Sequence, residues 1–75
     1  MNLDQLQNKI GERIRILRES KGITQQNLAA ICNFEKANLS RLEAGRTNPT
    51  ISTLYKISQA LKVSISELVD VEDAN

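Results

Sequence analysis

The chain has 75 residues, 40% of them hydrophobic and 25% charged, with a formal net charge of +1. A chain this short buries only about 60% of the surface it exposes when unfolded, which predicts a single domain over 1–75 with no room for an enclosed cofactor site. Histidine is absent and Cys32 is the lone cysteine, so a disulfide framework, His-dependent nucleophile pairs and the common metal-ligand sets are excluded. Neither enzyme chemistry nor a cofactor is expected, and the composition is too apolar for a disordered segment.

The opening MNLDQLQNK lacks the apolar stretch of a secretory signal, and the longest apolar run, Leu28 to Cys32, is five residues. A membrane span needs about 20. A soluble, cytoplasmic protein with no membrane partner is therefore expected. The charge is unevenly spread: residues 9–46 carry eight basic and four acidic side chains, a balance of +4, whereas residues 47–75 balance at −2. A basic first half followed by an acidic tail is the asymmetry expected when one face meets a polyanion.

Taken in chain order, the pattern predicts an all-α domain of five short helices, with a core over 6–69 and a short acidic tail over 70–75. Leu6, Ile10, Ile14 and Leu17 share one face of a first helix whose other side carries arginines and glutamates. Gly22 supplies a stop. Thr24 is an N-cap candidate for a second helix, with Leu28 and the small Ala29 inward. The break comes at Cys32-Asn33-Phe34, because asparagine tolerates left-handed backbone better than any residue but glycine.

A third helix starts near Lys36. Leu39 and Leu42 face inward, while Lys36, Ala37, Ser40 and Arg41 share the solvent side. Gly45 ends it, and Arg46-Thr47-Asn48-Pro49 reads as a turn. Thr50 caps a fourth helix with Ile51, Leu54, Ile57 and Leu61 as its apolar positions and Tyr55 packing along it. Ser64 to Glu67 fits the S-x-x-E capping box and opens a last short helix, with Ile65 and Leu68 inward.

Residues 24–42 thus form two short helices joined by a tight turn, the second showing a polar, partly basic face. That is the helix-turn-helix arrangement, whose second helix enters a DNA major groove. The run GITQQNLAAICNFEKANLSRLEAGRTNPTISTLYKISQAL resembles the phage repressor and Cro type of helix-turn-helix domain. The likeness extends over residues 10–69. Its matched positions are Gly22, Ile23, Thr24, Gln25, Leu28 and Ala29, then Ser40, Arg41, Leu42, Glu43 and Gly45.

The resemblance implies a compact five-helix, lambda-repressor-like fold with double-stranded DNA as its partner. It implies that Gln25 holds a DNA phosphate, at a helix end that itself attracts phosphate, and that Glu43 forms a structural ion pair with Arg18. By position, Lys36, Ala37, Ser40 and Arg41 would face the bases. Arg41 leads, because arginine presents two parallel donors to guanine O6 and N7, worth about 1–3 kcal/mol of discrimination. Lys36 suits guanine or a phosphate equally, and Ala37 offers a methyl contact to thymine. Asn38, Arg46, Thr47 and Asn48 are expected to meet phosphates.

The chain departs from the family pattern at several positions. Asn33 replaces the usual turn glycine. Glu35 stands where Ser, Thr or Asp usually caps the reading helix; its charge suits a helix N-terminus, or it accepts from cytosine N4 or repels some sequences. Cys32 takes the place of a buried aliphatic and is expected to fill the core. Ile31, where a polar residue is common, is expected to stay partly exposed.

One reading helix covers few base pairs, so useful specificity normally needs two copies on half-sites about 10 base pairs apart. Val63, Ile65, Leu68, Val69 and Val71 exceed what a short closing helix needs and are the predicted homodimer interface. The resulting reading is a regulator, repressor or autoregulator, acting by occupancy of a palindromic operator, with controller-like and antitoxin-like roles both open. The competing reading is a protein-interaction module on the same scaffold, favoured by the modest charge, Glu35 and the acidic tail.

Overall fold

The computed structural model describes residues 1–72, so the end of the predicted acidic tail, from Asp73, lies outside the described residues. Within them the chain is all-helical: α1 Leu3–Ser20, α2 Gln25–Cys32, α3 Lys36–Glu43, α4 Ile51–Leu61 and α5 Ile65–Leu68. The predicted five helices are present in order.

Local chemistry sets most of the helix ends. The Thr24 hydroxyl accepts from the Asn27 N–H at 3.0 Å, and Thr50 accepts from Thr53 at 3.1 Å. Ser64 and Glu67 form the expected reciprocal capping box. Asn33 adopts left-handed backbone (φ 58°), which lets the Phe34 N–H reach back to the Ala29 carbonyl at 2.8 Å. Glu35 makes no side-chain cap.

Two ends differ from expectation. α1 starts ahead of Leu6 because Asn2 and Gln5 form a capping box of their own, with bonds of 2.8 and 2.9 Å. α4 ends on Lys62, a non-glycine residue at φ 58°. The Val63 N–H bonds back to Ser58 O at 3.0 Å and closes that turn.

The core joins all five helices through Ile14, Leu28, Ala29, Cys32, Leu39, Leu42, Ile57, Leu61 and Leu68. Ile51 does not join it; it is 79% exposed. A step of three residues falls short of the 3.6-residue turn, so Ile51 is rotated about 60° from Leu54, toward the side of Tyr55. Tyr55 likewise leaves the packing expected of it and is 54% exposed. Ser58 takes an inward position on α4, with its hydroxyl donating to Tyr55 O at 2.7 Å. Ile31 is exposed, as its position led us to expect.

Cys32 is buried, and its Sγ lies 3.7 Å from the Lys56 carbonyl. Burial pushes the thiol above its ordinary range, opposed by the Lys56 charge. The folded thiol therefore holds its proton more tightly than the unfolded one. Its contribution to stability is full at neutral pH and is lost as pH rises through the folded value. Reaction with a thiol reagent at pH 8 is expected to be at least about tenfold slower in native protein than in denaturant; equal rates would place Cys32 at the surface.

One contact fixes how α1 crosses α3. Gly11 is buried, and a Cβ built on it would lie 2.4 Å from the Leu42 carbonyl oxygen and 2.7 Å from that of Glu43. The two backbones approach this closely because position 11 has no side chain.

Candidate nucleic-acid interface

α3 follows α2 after a turn of three residues, Asn33 to Glu35, and its orientation is set by what it buries. Leu39, Leu42 and Glu43 face inward; Lys36, Ala37, Asn38, Ser40 and Arg41 are all exposed. The four predicted base-reading residues therefore share one solvent-facing side of a single eight-residue helix. The Arg41 guanidinium donates to the side-chain oxygen of Asn38, a residue expected at a phosphate.

The electrostatics of this face depend on Glu43. Its side chain is 2% exposed and is gripped by Arg18, whose Nε and Nη2 donate to the two carboxylate oxygens at 2.8 and 3.0 Å. Arg18 Nη1 also donates to Ile23 O at 2.7 Å. The hydrogen bond with Glu43 raises the Arg18 pKa above its ordinary value, against the opposing effect of burial. Arg18 and Glu43 thus pair as expected. With the acid buried and neutralised, the exposed charges within residues 35–46 are Lys36, Arg41 and Arg46 against Glu35.

The other predicted phosphate ligands sit in different settings. Gln25 begins α2, is partly buried, and its Nε2 donates to Glu43 Oε1 at 3.0 Å. Arg46 and Asn48 are exposed beyond the end of α3. The Arg46 N–H returns to Arg41 O at 2.9 Å, a turn that Gly45 permits at φ 76°. The Thr47 hydroxyl is buried without a hydrogen-bond partner, so a phosphate contact from that oxygen requires the side chain to rotate.

At the far end, Val63, Ile65, Val69 and Val71 are partly buried and keep some surface, whereas Leu68 is completely buried in the chain's own core. Leu68 therefore supports the last helix from inside and offers no surface to a second copy. Arg13 Nε donates to Glu67 O at 2.9 Å and Lys9 Nζ to Glu72 O at 2.7 Å, fastening this end to α1.

Three features escaped the sequence reading: the Gly11 crossing, the Gln25–Glu43 bond and the Asn38–Arg41 bond. Gly11 left a signal, since a glycine inside a helical pattern usually has a packing reason. Among the described residues no group of three or more acidic, Cys or His side chains is placed to hold a metal, and no helix is long and apolar enough to cross a membrane.

The comparisons with known proteins agree with this geometry. The helix-turn-helix family model matches residues 14–68. The chain is 47% identical over 64 residues to an HTH-type transcriptional regulator of Sinorhizobium fredii, covering 85% of this chain and 83% of that protein. It is 35% identical to the immunity repressor of Bacillus phage phi105, of which it spans 44%. Among solved structures, the restriction-modification controller C.AhdI of Aeromonas hydrophila superposes with a TM-score of 0.79 at 31% identity, covering 81% of this chain and 92% of that one. The clp gene regulator ClgR of Corynebacterium glutamicum does so with a TM-score of 0.84 at 29% identity, covering 87% and 69%. By its fold, its central two-helix unit and these likenesses, the chain belongs to the helix-turn-helix family of transcriptional regulators.

Proposed function

We propose that this regulator is a cytoplasmic homodimer that binds a palindromic double-stranded operator and acts by occupying it, with α3 in the major groove of each half-site. The observation that carries the reading is the outer side of α3. Lys36, Ala37, Ser40 and Arg41 are exposed together on a helix whose inward acid is neutralised by Arg18. Gln25, Arg46 and Asn48 flank it as phosphate ligands, and Val63, Ile65, Val69 and Val71 form the surface that joins two copies. The likeness to C.AhdI supports a controller-like role.

Selection from a random double-stranded DNA pool at near-physiological salt tests this reading. The expected product is a palindrome with half-sites about 10 base pairs apart. Arg41→Ala should relax one base position in each half-site and weaken operator binding by about 1–3 kcal/mol. Failure of both proteins to enrich any sequence would overturn the reading and favour a protein partner for the same scaffold.

A further inference from the structure

Gln25 is expected to meet a phosphate, yet its side-chain amide is bonded inward to Glu43. These facts are compatible. A glutamine amide has two N–H donors and one carbonyl acceptor, whereas a phosphate oxygen only accepts. A surface amide free to turn would present its oxygen to the anion as readily as its nitrogen, and that orientation repels. The Glu43 carboxylate removes the ambiguity. It is 2% exposed and held by two bonds from Arg18, so it cannot move aside. Reversing the Gln25 amide would set a carbonyl oxygen against it.

We propose that Glu43 is a positioning residue for DNA binding: it takes one N–H of Gln25 and thereby aims the other at a backbone phosphate. The second N–H of Gln25 has no partner among the described residues, and Gln25 stands at the first position of α2. Arg18 is part of the device, because it cancels the charge that would otherwise drive the phosphate away. The inference rests on the DNA-reading function and adds to the ion pair a role outside stability.

The test uses the operator recovered by selection and a scrambled duplex of equal length, with affinities measured by fluorescence anisotropy well below the unfolding temperature. Gln25→Met keeps the length of the side chain and removes both donors. It should weaken operator and scrambled duplex equally, each about tenfold, because a phosphate contact carries no sequence information. Glu43→Gln should weaken binding severalfold in the wild-type background and cause no further loss beside Gln25→Met. Equal losses from Glu43→Gln in both backgrounds, or unchanged affinity with Gln25→Met, would overturn the inference while leaving operator reading intact.

A measurement on the unaltered protein covers the case in which Glu43→Gln does not fold. One of the two side-chain N–H resonances of Gln25, that of the proton bonded to Glu43, should stay in place when the operator is added, while the other shifts. An operator complex that moves neither resonance, or moves both alike, would overturn the inference. Absence of any selected operator would instead remove the reading on which it rests.

Discussion

Gly11→Ala should lower stability by about 3 kcal/mol, the upper part of the range for forcing extra volume into a packed interior. A shift of roughly 12–24 °C in melting temperature follows for a domain of this size, read by far-UV circular dichroism. The added methyl carbon would meet the carbonyl oxygens of Leu42 and Glu43 at 2.4 and 2.7 Å. These are backbone atoms at the end of α3, so neither can swing away as a side-chain tip would. α1 must lift, and Ile14 beneath it loses its packing. Gly22→Ala is the control. Open space surrounds that position, but its φ is +69°, so only the left-handed penalty of about 1–2 kcal/mol applies. A Gly11→Ala protein that melts like wild type would show that the helices do not cross at this distance.

Glu43→Ala should cost about 3–5 kcal/mol, the usual result of removing one partner from a buried ion pair. The loss exceeds that of a surface salt bridge, about 0–1 kcal/mol, because Arg18 and Glu43 are 7% and 6% exposed. Truncation leaves a guanidinium in the interior with Ile23 O at 2.7 Å and the half-exposed Glu19 carboxylate at 4.0 Å as its remaining partners. Urea unfolding measures the effect, and an unchanged midpoint would contradict the buried pairing. The raised Arg18 pKa adds no pH lever near neutrality. Its contribution is fully present below the ordinary arginine value and is lost only as pH rises through the higher folded one. On the Arg18 side, therefore, the pair persists at every pH where the protein is handled.

What the amino-acid order reveals here depends on how far the deciding interaction reaches. Thr24, Asn33, Thr50 and Ser64 were legible as helix ends because each acts on backbone groups within a few residues of itself. The inward positions of α3 were legible for a similar reason, since Leu39 and Leu42 repeat at helical spacing. Ile51 was misplaced because a three-residue step drifts around the helix, and only the neighbouring helices decide where the buried stripe ends. Lys62 carried no signal, since lysine is not a residue that marks left-handed backbone. At the site, the outer residues of α3 followed from periodicity and the Arg18–Glu43 pair from the family resemblance. The inward bond of Gln25 was hidden because its acceptor lies 18 positions along the chain. Thr47 was hidden similarly: its exposure depends on how the 46–50 turn settles over α3.

α1 links both working ends of the molecule. It meets α3 at Gly11 and Arg18, and it holds the C-terminal segment through Arg13 and Lys9. All four attachments lie on one 18-residue helix, a rod about 27 Å long. The attachments fall within residues 9–18, so α3 and the C-terminal segment are held against the same stretch of one stiff helix. The last helix and the one that presents Arg41 thereby share a single brace.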